Sequence, residues 1–185
     1  MSYFRKHDPL NSVLDILKLN TPAGKALVQY HMAVMRQQSD LSIQEREWIA
    51  AYVSGLNHCH YCHGVHSVTA REFGVEPELL EALLQEVETA PIEAKMKPLF
   101  RLVKQLTEDP ARMTNALVDK VLEAGWSEQA VHDAINVCCL FNFMNRLLEG
   151  HGIKGRADLY EERGKALQKN GYDPLLTALS QVDAV

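Results

Sequence analysis

The 185-residue sequence predicts an all-α fold, and three observations support this. Apolar residues recur every three or four positions, which is the spacing of one helix face. Residues that cap helices stand directly before prolines, which favour the first helical turn. No segment alternates apolar and polar residues with the two-residue period of a strand. A chain of this length buries about 70 % of its unfolded surface, so we expect a core that needs no metal or disulfide.

Two helix starts are predicted near the N-terminus, at Asp8-Pro9 and at Thr21-Pro22. In each, a capping residue precedes a proline at the first helical position. Apolar stripes with helical spacing follow both, over residues 10–17 and 23–34.

The next two helices are expected to follow one another in the sequence, separated by only a few residues around Asn57. Ser42 and Glu45 have the spacing of a capping box, and the helix they open should stop at Gly55. Asn57 is placed to cap a further helix over residues 58–73.

The rest of the chain carries further helical patterns, separated by prolines and glycines. They cover Glu78 to Val87, Ile92 to Leu106, Ala116 to Ala124 and Glu128 to Glu149. The last of these is apolar nearly all round in its middle, so we expect it to be central. Parts of residues 154–185 also look helical, and we expect them to pack across a subunit boundary.

Composition and charge exclude several classes of function. The formal net charge is −5, and no cluster of Lys and Arg is present, so a nucleic-acid partner is not expected. The N-terminus has no apolar signal core, and no apolar run reaches the roughly 20 residues that a bilayer requires. We therefore expect a cytoplasmic location and no membrane partner. In the reducing cytoplasm, a C-x-x-C pair such as that of Cys59 and Cys62 is more often catalytic or metal-binding than a structural disulfide.

The richest segment is residues 57–66, which holds Cys59, Cys62 and His66. On a helix these three side chains share one face, and a disulfide between the thiols would be strained and easily reduced. The positive end of the helix favours Cys59 as the reactive thiolate, whereas the imidazole favours Cys62. The sequence leaves that choice open.

A spaced motif runs through this part of the chain: Glu47, eleven residues, Cys59-x-x-Cys62, three residues and His66. This motif resembles the signature of the AhpD-like alkylhydroperoxidases of the carboxymuconolactone decarboxylase superfamily. Residues 105–110, 123–127 and 141–146 resemble the branch of peroxidase-related enzymes. The resemblance covers about residues 10–155. Family members carry a histidine just before the second cysteine, where this chain has Tyr61.

The resemblance implies one all-α domain over residues 1–185, with a redox core at about 40–95, assembled as a homo-oligomer. It implies a thiol-dependent peroxidase that needs no cofactor or metal. Cys62 would attack the hydroperoxide substrate, Cys59 would resolve the product, and Glu47 and His66 would relay protons. The partner would be a thiol or lipoyl-type reductant protein.

Three other interpretations of the motif remain open. The two thiols can be inert core residues, or they can form a zinc-binding or redox-sensing site with His66 and one of the neighbouring histidines. A non-redox decarboxylase is the third, although decarboxylase members of the superfamily lack the redox pair.

The remaining polar and sulfur-bearing residues are given structural roles. His31 and His132 are expected to be structural or surface groups, and Cys138 and Cys139 to be small core hydrophobes. Asn142, Asn145 and Arg146 are expected to make oligomer contacts or brace the site.

Overall fold

The computed structural model describes residues 3–4 and 10–182. Ten α-helices and one 3₁₀ turn form the regular structure of these residues, and none of them is in a strand, which confirms the all-α prediction. The helices are α1 (Val13–Lys18), α2 (Thr21–Arg36), α3 (Ile43–Leu56), α4 (His60–Glu72), α5 (Pro77–Gln85), α6 (Met96–Glu108), α7 (Asn115–Glu123), α8 (Glu128–His151), α9 (Ala157–Asn170) and α10 (Asp173–Val182), with the 3₁₀ turn at Pro110–Arg112.

The first two helices begin at other positions than predicted. Asp8-Pro9 lies outside the described residues, and residues 10–12 are not helical. Helix α1 starts only after Ser12, because the Ser12 side chain accepts a backbone N–H of the first turn. Helix α2 starts at Thr21 itself, since Asn20 provides the side-chain cap.

Helix α3 opens with the predicted capping box. Ser42 Oγ accepts the backbone N–H of Glu45, and the Glu45 carboxylate accepts the backbone N–H of Ser42 at 2.7 Å. The helix continues through Gly55 to Leu56, so the predicted stop at Gly55 is wrong. Its residues 46–54 are all buried, because other helices surround it.

The connection between α3 and α4 differs from the prediction. Asn57 ends α3 instead of capping α4. His58 has a φ of 53°, in the left-handed region that residues other than glycine rarely adopt. Cys59 then takes the N-cap position, so it precedes α4 and does not lie within it. The tight turn brings the C-terminus of α3 directly beside the first turn of α4.

Helix α8 is central, as predicted. It runs from a Ser127 side-chain cap to Gly152, which adopts a left-handed conformation at the helix end. It contacts helices α1, α2, α3, α4, α6 and α7, and its apolar residues belong to the same buried core as those of α3.

The C-terminal helices pack against their own chain, and the expected packing across a subunit boundary stays a prediction. Helix α9 lies along α4, and α10 lies against α1 and α2. The approach of α9 to α4 is close at Gly164, where an added Cβ would come within 2.5 Å of Val68 Cβ and 2.9 Å of the Val65 carbonyl oxygen. Only glycine fits this crossing.

Within residues 3–4 and 10–182, no helix combines the length and the apolar character that crossing a bilayer requires.

Candidate active site

The two thiols of the C-x-x-C pair meet where α4 begins. Cys59 is fully buried, and Cys62, in the first turn, is 4 % exposed. A side-chain hydrogen bond joins them, and both cysteines are reduced. This bond, helped by the backbone amide of Cys62, lowers the pKa of Cys59. The same bond, together with burial, raises the pKa of Cys62. Ionisation of Cys59 is therefore favoured over ionisation of Cys62.

A chain of charged groups lies behind Cys62. His66, one turn further along α4, has its Nδ1 atom 2.6 Å from Glu47 Oε2 on α3. The second carboxylate oxygen, Oε1, lies 2.6 Å from Arg36 Nη2 at the end of α2. Because the carboxylate holds the proton on Nδ1, the Nε2 atom of His66 is left to exchange a proton with another group.

Glu47 is ionised although it is fully buried. Burial alone raises the pKa of a carboxyl group, but the charge and hydrogen bond of His66, followed by those of Arg36, bring the pKa of Glu47 below its usual value. The carboxylate is thus a permanent negative charge between two basic groups.

A cavity of about 400 Å³ reaches this cluster from the surface. Cys62 and His66 lie on its wall, next to Phe141, whose ring contacts the His66 ring edge-on at 4.5 Å between centroids. Much of the remaining lining is aliphatic and comes from α1, α2, α4, α9 and α10: Val13, Leu14, Leu17, Leu27, Val28, Val65, Leu167 and Leu175. Such a volume and lining are typical of a site for a small, largely apolar molecule.

Sequence reasoning missed several residues of the site. Arg36 and Tyr172 are distant in sequence from the C-x-x-C segment, and no local motif marks either of them. Arg163, which donates a 2.6 Å hydrogen bond to Tyr61 Oη, lines the cavity from α9. Glu149 of α8 acts on Cys59 through a hydrogen bond and its charge, both of which raise the pKa of that thiol.

His31 was assigned a structural role, and the structure adds a position on the cavity wall. Its Nδ1 atom is 2.8 Å from the Leu27 carbonyl oxygen, which fixes the ring. Burial lowers its pKa to about 4, so the imidazole is neutral at physiological pH.

The predicted asparagine cluster braces the turn before α4. Asn57 donates to the side-chain oxygens of Asn142 and Asn145 at 3.1 and 3.0 Å, and Asn145 donates to Ser54 Oγ at 3.0 Å. Asn145 also acts on Cys62, where its side chain favours the thiolate and opposes the other shifts. Bracing the site is therefore the observed role of these amides.

The zinc-site interpretation receives no support from the geometry. Across residues 3–4 and 10–182, no three or more His, Cys, Asp or Glu side chains are arranged to hold a metal ion. His63 points its Nδ1 atom at the Ala51 carbonyl oxygen, 3.0 Å away, and His66 is engaged by Glu47.

The second cysteine pair has different surroundings. Cys138 is buried beside Thr107 Oγ1 at 3.3 Å, and burial raises its pKa to about 11. Cys139 is exposed on the opposite side of α8, so only Cys138 is the core residue that was predicted for both.

The arrangement as a whole suits thiol chemistry: two sulfur atoms in contact, a histidine–carboxylate pair that can move a proton, and an apolar cavity at one of the thiols. Residues 22–105 match the model of the carboxymuconolactone decarboxylase family. The fold is similar to that of an uncharacterized peroxidase-related protein from Silicibacter sp. TM1040, with 27 % identity and a TM-score of 0.73 over 80 % of this chain and 78 % of that one.

A second solved structure has the same fold. It is described as an alkylhydroperoxidase AhpD core, an uncharacterized peroxidase-related protein from Ralstonia eutropha JMP134, and it shares 20 % identity at a TM-score of 0.72 over 78 % of this chain and 76 % of that one. No curated protein matches the chain significantly. A little less than half of the chain is therefore similar to the carboxymuconolactone decarboxylase family, and the fold is that of solved peroxidase-related proteins.

Proposed function

We propose that this protein is a thiol-dependent peroxidase that reduces organic hydroperoxides through Cys62 and Cys59. The observation that carries this proposal is the placement of Cys62 between the cavity and the second thiol, one helical turn from His66. An inert core pair would need neither the cavity nor the buried charges behind it.

The chemical steps balance with the residues present. Cys62 loses its proton to His66 Nε2, and its sulfur attacks the terminal oxygen of the hydroperoxide. An S–O bond forms, the O–O bond breaks, and the alkoxide takes the proton from His66 to leave as an alcohol. Cys62 is then a sulfenic acid.

Cys59 completes the oxidative half of the cycle. Its lowered pKa favours the thiolate that attacks the Cys62 sulfenic sulfur. The S–S bond forms, the S–O bond breaks, and the departing hydroxide takes a proton from solvent to become water. Glu47 and Arg36 touch no reacting atom in this scheme. They hold His66 in the tautomer that can accept a proton at Nε2.

The disulfide must then be reduced, either by one dithiol or by two molecules of a small thiol. Cys62 is only 4 % exposed and Cys59 is fully buried, so the reductant must enter through the cavity. A small thiol or the arm of a lipoyl-type protein is narrow enough, whereas a bulky protein surface is not. We propose the cytoplasm as the compartment, because the thiols must be kept reduced for turnover.

We also propose that the protein works as a homo-oligomer. The apolar side chains Tyr30 and Phe143 are 43 % and 52 % exposed and lie next to Cys139 on one face of α2 and α8. Light scattering coupled to gel filtration measures the mass directly. The Phe143→Glu variant should have a lower molar mass in solution than the wild type, because the charge disrupts the contact between copies. A monomeric wild type would refute the proposed oligomer.

The peroxidase proposal is tested by single-turnover kinetics of the pre-reduced, metal-free protein with cumene hydroperoxide. The wild type should lose two thiols per chain. Cys62→Ser should react at least about 100-fold more slowly, because no other thiol faces the cavity. Cys59→Ser should stop after one turnover with a sulfenic acid that dimedone traps. Cys139→Ser serves as the matched control and should behave as the wild type does.

Unchanged peroxide consumption by Cys62→Ser would contradict the proposal. Stoichiometric bound zinc that masks the thiols would instead indicate a metal-binding module. Decarboxylation of a lactone acid that survives thiol alkylation would indicate a non-redox enzyme.

A further inference from the structure

Three aromatic side chains in the described part of the chain hide a polar atom that has no hydrogen-bond partner: Trp48 Nε1, Tyr52 Oη and Tyr172 Oη. Trp48 and Tyr52 pack against Phe100 in the core between α3 and α6, and neither lines the cavity. Tyr172 does line it. A buried hydroxyl without a hydrogen-bond partner is unfavourable. The position of Tyr172 on the cavity wall therefore suggests that a ligand in the cavity supplies the missing partner.

The ring of Tyr172 is held in place from two sides. The His31 ring lies 5.1 Å away between centroids, and the Arg36 guanidinium lies 5.3 Å from the centre of the ring. Both neighbours have other polar partners, since His31 faces the Leu27 carbonyl oxygen and Arg36 is paired with Glu47. Packing therefore fixes the ring, and its hydroxyl is left for a molecule that enters the site.

The hydroxyl of Tyr172 is suited to donate a hydrogen bond. Burial, and then the negative charges of Glu47 and Cys62, raise the pKa of Tyr172 well above its usual value. The phenol thus keeps its proton while a thiolate is present nearby. Cys62 and Tyr172 also line the same cavity, so one small molecule can reach both.

The second tyrosine of the cavity gives a useful contrast. Tyr61 Oη accepts a 2.6 Å hydrogen bond from Arg163, and the guanidinium also covers the Tyr61 ring at 5.2 Å. Its hydroxyl has a partner within the protein. Tyr172 is the tyrosine of this cavity whose hydroxyl lacks one among the described residues.

We propose that the Tyr172 hydroxyl binds the substrate by donating a hydrogen bond to the alkoxy oxygen of an organic hydroperoxide, while the apolar group of the hydroperoxide lies against the aliphatic lining. This inference rests on the proposed peroxidase function. As the S–O bond forms at Cys62 and the O–O bond breaks, negative charge develops on the alkoxy oxygen. The hydrogen bond strengthens with that charge, and the alkoxide is then protonated from His66.

Tyr172→Phe tests this assignment because it removes one oxygen atom and keeps the ring. The rate constant for oxidation of the pre-reduced protein by cumene hydroperoxide should fall by about 10- to 100-fold, the value of a hydrogen bond to a developing charge. Alkylation of Cys62 by iodoacetamide, which makes no alkoxide, should keep its wild-type rate. The melting temperature should be unchanged or higher, since no protein hydrogen bond is lost.

Tyr52→Phe is the matched control, because it removes an equally buried and unpartnered hydroxyl away from the cavity. It should leave both rates unchanged. Wild-type peroxide kinetics in Tyr172→Phe would overturn the assignment, and so would an equal slowing of oxidation and alkylation, which would mean that the thiol itself is disturbed. A wild type that fails to react with any hydroperoxide would instead overturn the proposed function.

Discussion

Helices α3 and α4 form one half of the site, and helices α9 and α10 form the other. Helices α4, α9 and α10 line the cavity, whereas α3 supplies the buried Glu47 behind His66. The first pair carries the thiols, His66 and Glu47, and lies inside the segment that matches the family model. The second pair lies outside that segment and supplies aliphatic wall residues, Arg163, and Tyr172 at the joint between its helices. In the proposed function, the reacting groups and the Tyr172 contact to the substrate therefore come from separate stretches of chain.

The largest effect is expected from Glu47→Gln, which changes the α3–α4 half alone. It leaves Arg36 without its counter-charge and removes the acceptor that fixes His66. Breaking such a buried ion pair destabilises a protein by about 3 kcal/mol or more. Loss of the oriented base should slow peroxide oxidation by about 100-fold or more. Urea unfolding and single-turnover kinetics measure the two effects.

Glu81→Gln is the control for that variant, since Glu81 is exposed on α5. It should change neither quantity. Normal kinetics in Glu47→Gln would mean that His66 acts without the carboxylate.

The free energy of unfolding, measured against pH, should show that the native protein holds His31 in its neutral form. Its folded pKa of about 4 lies below the ordinary value of 6.5, so the unfolded chain binds a proton that the native protein refuses. Stability should fall as the pH drops from 6.5 to 4, by up to about 3 kcal/mol. The lowered pKa of Glu47 acts in the same direction, since its contribution is lost as the pH falls further, through that folded pKa.

His31→Asn tests this assignment with unfolding curves at several pH values. The amide can still face the Leu27 carbonyl oxygen but does not titrate. The variant should lose most of the pH dependence between 6.5 and 4, and an unchanged slope there would assign the dependence to other groups.

Gly164→Ala should distinguish the role of the cavity wall from that of the thiol pair, because it displaces α9 and leaves the residues of α3 and α4 unchanged. The added methyl group meets Val68 and the backbone at Val65, so α9 must shift, at a cost of about 1–3 kcal/mol in stability. The ratio of cumene hydroperoxide to hydrogen peroxide reactivity should change, because the wall of the cavity moves.

Diamide should still oxidise Cys59 and Cys62 in Gly164→Ala at the wild-type rate. Gly150→Ala on α8, where an added Cβ meets nothing within 4 Å, is the control and should be neutral or slightly stabilising. An unaltered peroxide ratio in Gly164→Ala would show that α9 does not shape substrate choice.

The smallest effect is expected from Cys139→Ser. The side chain is exposed and belongs to neither half of the cavity, so stability should change by no more than about 0.5 kcal/mol. Thermal unfolding of the reduced protein measures it, and a larger loss would show that the thiol itself stabilises the proposed contact of Tyr30 and Phe143 with another copy of the chain.

The helices themselves could be predicted from the sequence because caps and apolar spacing are local signals. The box at Ser42 and the long apolar pattern of α8 were both found where the structure has them. The turn at Asn57 was misassigned, since an asparagine suits the end of one helix as well as the start of the next.

The candidate site was predictable only where its residues share a motif. Cys59, Cys62, His66 and Glu47 lie within 20 residues of one another, whereas Arg36 and Tyr172 reach the cluster only through tertiary packing. A lone arginine at a helix end and a lone tyrosine after a glycine give no local signal.

The crossing of α9 over α4 at Gly164 has a practical consequence for altering this protein. At Gly164 the backbone of α9 packs directly against Val68 of α4, because no Cβ separates them. This contact sets the position of α9 relative to α4, and with it the position of α10. Exchanging the segment after residue 156, with Gly164 retained, would graft a new binding wall onto an unchanged reactive centre. The C-terminal third of α9 is therefore where a designer seeking different substrates would begin.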